Sequence, residues 1–195
     1  MIIAIDVDEV LANFLEQYLK FQEATYGRKI SFDDVKTYYF RDIFFFFFKQ
    51  EISEIYEFYD TPFFKHVRPL PDSIDVVKEL KRQGHTLHVI TARQHKIATQ
   101  TKDWINTHFP NLFEDVIITN EAAFGNTNPL KKVDVCKQLN AHVIIEDSHS
   151  NACDAAREHI TAILINKPWN KNKEDVEGIH RVDSLREALS VLSRL

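Results

Sequence analysis

The stretch Ile2-Ile3-Ala4-Ile5-Asp6-Val7-Asp8 decides how this chain is read: a short apolar strand runs straight into two carboxylates. Strands covered on both faces are apolar without alternation. Four later runs share that character: Leu87 to Ile90, Val116 to Ile118, His142 to Ile145 and Ala162 to Ile165. Helical spacing fills the intervals, in Ser73 to Gln83 before Gly84, in Lys96 to His108, in Val133 to Leu139 and in Ser184 to Arg194. This alternation predicts an α/β fold built on a doubly wound, Rossmann-like parallel sheet of five strands. Ligands of such sheets collect at the carboxyl ends of the strands, which is where Asp6 and Asp8 fall.

Residues 13–71 break the alternation and hold 18 of the 23 aromatic residues. Phe14 to Thr25 reads as a helix stopped by Gly27, and Lys49 to Tyr59 carries helical spacing through Ile52, Ile55, Tyr56 and Tyr59. Pro69 and Pro71 mark the return to the sheet pattern. The expectation is a core of residues 1–12 and 72–195 with a small helical, aromatic-rich cap, residues 13–71, inserted after the first strand. Within it, Phe44 to Phe48 is expected to form a tight apolar junction rather than a disordered tract.

Composition excludes several classes. A chain of 195 residues with 44% hydrophobic residues buries a real core, and its length suits one domain with an insertion. The net charge is -5 and the basic residues are scattered, which excludes a nucleic-acid polymer as partner and leaves a small anionic ligand needing a local positive site. No apolar run spans a bilayer, and the chain opens on a strand rather than a basic leader, so a soluble, cytoplasmic protein with no membrane partner is expected. Cys136 and Cys153 sit among apolar neighbours in helical segments, as reduced, buried thiols do. The nine histidines lack zinc-site spacing, and no P-loop, Gly-x-Gly-x-x-Gly or Gly-x-Ser-x-Gly occurs.

Four features follow strand ends in order. After the first strand, Asp6 and Asp8 can divide nucleophilic attack on phosphorus from proton transfer, although Asp-x-Asp alone is as often an ordinary turn. After Ile90, the Thr91 hydroxyl and the Ala92 N–H are natural phosphate donors, and Thr91 alone reads equally as a helix cap. Lys131-Lys132 opens a helix and supplies positive charge; Glu146-Asp147 ends a strand. Asp6, the Asp8 carbonyl and Asp147 form a sufficient oxygen set for Mg²⁺. Each feature is weak alone, and their order makes coincidence a poor explanation.

Through Asp6-Val7-Asp8-Glu9-Val10-Leu11, Thr91, Lys132 and Glu146-Asp147, the whole chain resembles the haloacid-dehalogenase-like hydrolases. The resemblance implies Asp6 as nucleophile, Asp8 as acid/base, Thr91 and Lys132 as phosphoryl ligands, Asp147 as direct magnesium ligand and Glu146 as its support. Lys132 is preferred to Lys131 because its spacing to Val135-Cys136 is similar to the family's Lys-initiated helix. Glu9 stands where many relatives have Gly. An acid at Asp8 implies phosphatase or phosphomutase chemistry rather than dehalogenation.

Val10-Leu11-Ala12-Asn13-Phe14, the run Tyr59-Asp60-Thr61-Pro62-Phe63-Phe64 and Pro168-Trp169-Asn170 further resemble the 5'(3')-deoxyribonucleotidases. That resemblance implies stacking of a nucleobase on Phe14, with core packing of Phe14 an equal alternative. Thr91-Ala92-Arg93 departs from the Thr-Ser-Pro of the animal enzymes. The expected activity is a Mg²⁺-dependent phosphatase for (deoxy)nucleoside monophosphates working through an aspartyl-phosphate. A phosphatase for a sugar phosphate or other small metabolite is the alternative, and a silent binding protein on the same fold is disfavoured by the intact residue set. A homodimer is left open.

Overall fold

The computed structural model describes residues 1–44, 47–119 and 130–195. Strands β1 (Ile2–Ile5), β2 (Thr86–Thr91), β3 (Asp115–Ile118), β4 (Val143–Glu146), β5 (Thr161–Ile165) and β6 (Ile179–Val182) form one sheet in the order β3-β2-β1-β4-β5-β6. Every pairing is parallel. The chain starts in the middle of the sheet, winds out to β3, then crosses β1 to lay down β4, β5 and β6. The strand order therefore reverses beside β1, and a crevice opens at its carboxyl end.

Helices cover both faces. Ile3 and Ile5 of β1 pack in one core cluster with Val76, Val77 and Leu80 of α5 (Ser73–Arg82), Ile105 of α6 (Ala98–His108) and Ala188 and Leu192 of α9 (Leu185–Leu192). Ala4 points the other way, into a cluster with Val135 and Cys136 of α7 (Lys132–Gln138) and Ala152 and Ala155 of α8 (His149–Arg157). This burial on two sides is why the strands read as unbroken apolar runs. Cys136 and Cys153 are free and buried, and burial pushes the Cys136 thiol up to about 12.

The sheet has six strands, not the five expected. The sixth, Ile179-His180-Arg181-Val182, lies at an edge with His180 exposed, Ile179 and Arg181 half-buried and Val182 buried, and its alternation is too short to register as a strand.

Between β1 and α5 lie α1 (Phe14–Tyr26), α2 (Phe40–Phe44), α3 (Phe48–Tyr59) and α4 (Pro62–Lys65). Left-handed Gly27 (φ 67) ends α1, as its sequence implies. Aromatic rings knit these helices together: Phe58, fully buried, meets Phe14 at 5.2 Å and Tyr18 at 5.3 Å between centroids, and Tyr18 stacks on Phe40 at 4.3 Å. The junction expected at Phe44 to Phe48 is corrected in part: Phe44 packs on Tyr18, but Phe47 is 84% exposed, and Phe45 and Phe46 lie outside the described residues.

Phe58→Ala is expected to cost about 3–5 kcal/mol in denaturant unfolding, the range for emptying a large aromatic site. A loss below ~1 kcal/mol contradicts a core centred on that ring.

Candidate active site

Asp6 follows β1 directly, and its N–H continues the ladder to the Ile145 carbonyl at 3.0 Å. The backbone then doubles back, with the Leu11 and Ala12 N–H groups both donating to the Val7 carbonyl at 2.8 Å. Glu9 sits inside this turn in the left-handed region, φ 61. That conformation is one glycine adopts more readily than glutamate. Here the Glu9 carboxylate also accepts the Leu15 N–H at 2.7 Å, capping the first turn of α1. Burial raises its pKa to about 7, against the pull of Lys167 and the Leu15 N–H.

Lys132, the first residue of α7, is 1% exposed and joins two strand ends. Its Nζ lies 2.8 Å from Asp6 Oδ1 and 2.5 Å from Glu146 Oε1. Lys131, its rival, points outward and meets Asp154 at 3.8 Å. Burial alone would lower the Lys132 ammonium, but Asp6 and Glu146 outweigh it and hold it above its ordinary pKa.

Glu146 ends β4 with no exposure. Its Oε1 also accepts Asn151 Nδ2 at 2.8 Å, and its Oε2 accepts the Asp147 and Ser148 N–H groups, each at 2.8 Å. Burial works to raise its pKa, yet Lys132 and these donors hold it below the usual carboxylate value. Asp147 accepts Trp169 Nε1 at 3.0 Å on Oδ2, and its carbonyl accepts Asn170 Nδ2 at 2.8 Å. The Pro168-Trp169-Asn170 stretch thus orients Asp147.

Among the described residues, Asp6, Glu146 and Asp147 bring buried carboxylate oxygens within 4.8 Å of one another. Burial raises Asp6 to about 8 and raises Asp147 as well, with repulsion inside the cluster adding to both. One ammonium, Lys132, does not balance such a group. An all-oxygen donor set short of positive charge fits a hard divalent cation such as Mg²⁺. Since both Glu146 oxygens are engaged by N–H donors, Asp6 and Asp147 are the carboxylates suited to direct ligation.

Asp8 stands apart from this cluster. Its carboxylate pairs with Arg93, at 2.7 Å from Nη2 to Oδ1 and 3.0 Å from Nε to Oδ2. Thr91, the last residue of β2, is buried; its hydroxyl accepts the Arg93 N–H at 3.2 Å. Beyond these residues lies a cavity of about 290 Å³, lined by Asp8, Ala92, Arg93, Tyr38, Tyr59 and Trp169 among others. Phe14, 7% exposed, packs edge-on against Phe58 and also lines the cavity. Tyr39 and Phe40 line it too. Arg93, Asn151 and the indole of Trp169 are the site members that residue reasoning missed. The signal available for Arg93 was its departure from Thr-Ser-Pro.

Lys132→Met is expected to cost about 3–5 kcal/mol of stability at neutral pH, because it strands buried carboxylates. Those carboxylates then have folded pKa values above their unfolded ones, so the deficit shrinks as pH falls into the ordinary carboxylate range. Unfolding of both proteins across pH measures this, and a deficit independent of pH contradicts it.

The model of the family described as 5' nucleotidase, deoxy (pyrimidine), cytosolic type C protein matches residues 1–195. A Bacillus cereus protein described provisionally as a nucleotidase is 24% identical over 112 residues, which are 57% of this chain and 51% of that protein. The match thus spans about half the length of that curated relative. A crystal structure described as a predicted phosphatase from Clostridium acetobutylicum superposes with a TM-score of 0.72 at 14% identity, covering 100% of this chain and 98% of the other. A haloacid dehalogenase-like hydrolase from Streptococcus pneumoniae gives 0.70 at 13% identity, over 98% and 97% of the two chains. At such identity the structures attest the fold, whereas the full-length match attests descent: the chain belongs to the 5' nucleotidase, deoxy (pyrimidine), cytosolic type C family.

Proposed function

We propose that the chain is a Mg²⁺-dependent phosphatase that turns over (deoxy)nucleoside monophosphates through an aspartyl-phosphate on Asp6. The observation that carries this reading is the meeting of Asp6 and Asp147, which follow the adjoining strands β1 and β4, with Lys132 at the start of α7. Asp6 and Asp147 would hold magnesium with the Asp8 carbonyl, and Glu146 would orient that set. When bound, the cation supplies positive charge to the phosphoryl oxygens and the cluster.

An Asp6 Oδ attacks phosphorus, the bond from phosphorus to the ester oxygen breaks, and Asp8 gives that oxygen a proton. Water then attacks the phosphorus of the aspartyl-phosphate while Asp8 takes its proton. The bond between phosphorus and Asp6 Oδ breaks, releasing phosphate and restoring both carboxyl groups. Lys132, Thr91 and the Ala92 N–H hold the phosphoryl oxygens throughout.

Residues 13–71 serve as the cap. Their aromatic rings exclude water and face the leaving nucleoside, with Phe14 stacking on the base. The substrate is a small phosphorylated molecule rather than a nucleic-acid polymer. No helix of the described residues is long and apolar enough to cross a membrane, and a cytoplasmic site of action suits the family.

Phosphate release from a panel of purine and pyrimidine monophosphates and sugar phosphates tests the reading, with Asp6→Asn expected to lose about 10³-fold or more. Turnover of a sugar phosphate with every nucleotide ignored would replace the substrate class. An Asp6→Asn protein as active as the parent would sink the mechanism. Mg²⁺ is expected to raise the thermal midpoint of the parent protein and not of Asp147→Asn, by mass action on the folded state.

A further inference from the structure

Arg93 is a buried cation to which the proposed chemistry gives no task. It forms a bidentate pair with Asp8, yet the two partners differ sharply: the Arg93 side chain is 2% exposed and that of Asp8 29%. Arg93 is also braced from behind. Its Nη1 donates to Thr101 Oγ1 at 3.3 Å, and its guanidinium carbon lies 5.7 Å from the Phe14 ring centroid and 5.6 Å from that of Phe64. A guanidinium fixed on these sides stays where it is, so Asp8 is the partner free to move.

Asp8 has both carboxylate oxygens turned to Arg93. To hand a proton to a leaving oxygen, it must give up at least one of those bonds. The guanidinium left behind would be a buried charge without a partner, which costs several kcal/mol unless another anion replaces it. A planar guanidinium fork fits phosphoryl oxygens as well as it fits a carboxylate. Arg93 lies two residues beyond Thr91 and lines the same cavity as Asp8 and Ala92. It also answers a charge problem, because Asp6, Asp8, Glu146 and Asp147 crowd the place where a phosphate dianion must sit.

We propose that Arg93 is a phosphoryl-binding residue: Asp8 occupies its guanidinium in the free protein, and the oxygens of a bound phosphate ester displace Asp8, freeing it for proton transfer. This rests on the reading of Asp8 as the acid/base, so binding is measured separately from turnover.

Orthophosphate binding in the presence of Mg²⁺ is measured by calorimetry for the parent protein and Arg93→Ala. The substitution is expected to weaken binding about 10- to 100-fold, the worth of a charge-assisted hydrogen bond. Millimolar guanidinium should restore much of the loss, while urea, a neutral molecule of the same shape, should not. If Arg93→Ala does not fold, Arg93→Gln carries the same test without the charge. Unchanged binding, or rescue by urea as good as by guanidinium, overturns the proposal even where the phosphatase activity stands. A parent protein that binds orthophosphate but hydrolyses no phosphate ester overturns the enzymatic reading instead, and one that binds none overturns both.

Discussion

The buried ammonium of Lys132, held between Asp6 and Glu146, is the constraint on which the rest of the site depends. Asp6 belongs to the turn after β1, Glu146 to the end of β4, and Lys132 to the start of α7. A single side chain therefore fixes the spacing of three elements. Taking these charges out of water is costly, and it is tolerated because both carboxylate oxygens of Glu146 accept hydrogen bonds, from Lys132, Asn151 and two backbone N–H groups. The surplus of negative charge left by one ammonium among Asp6, Glu146 and Asp147 is what a hard divalent cation would relieve.

Much of this was legible in the sequence because it is local. A strand buried on both faces prints as an apolar run, and the residue after it is fixed at the strand's carboxyl end. Asp6, Thr91, Glu146 and Asp147 could all be placed that way. The preference for Lys132 over Lys131 comes from the resemblance of its spacing to Val135-Cys136 to the family's Lys-initiated helix, and the structure turns Lys132 inward and Lys131 outward. What stayed hidden is what depends on partners far along the chain. Arg93 and Asp8 are 85 residues apart, and no local pattern announces their pairing. The edge strand β6 was missed for a related reason, since half-exposed His180 and Arg181 carry no apolar signal.

The segment between β1 and α5 behaves differently from the sheet. Its aromatic excess was plain, but aromatic rings suit a core and a cavity wall equally well, and Phe14 packs in the one and lines the other. The fold explains where a ligand sits and how a phosphoryl group could be held; selectivity among leaving groups depends on the rings and polar groups of the cavity wall. Arg93, paired with Asp8, is part of that wall.

Covalent participation of Asp6 is the central claim, and trapping tests it most directly. The protein is mixed with Mg²⁺ and a hydrolysed monophosphate, quenched with borohydride during turnover and sequenced by mass spectrometry. Reduction of an aspartyl-phosphate yields homoserine, which is expected at position 6 alone and only when substrate is present. Steady turnover with Asp6 recovered unmodified, or homoserine at a different aspartate, would contradict it.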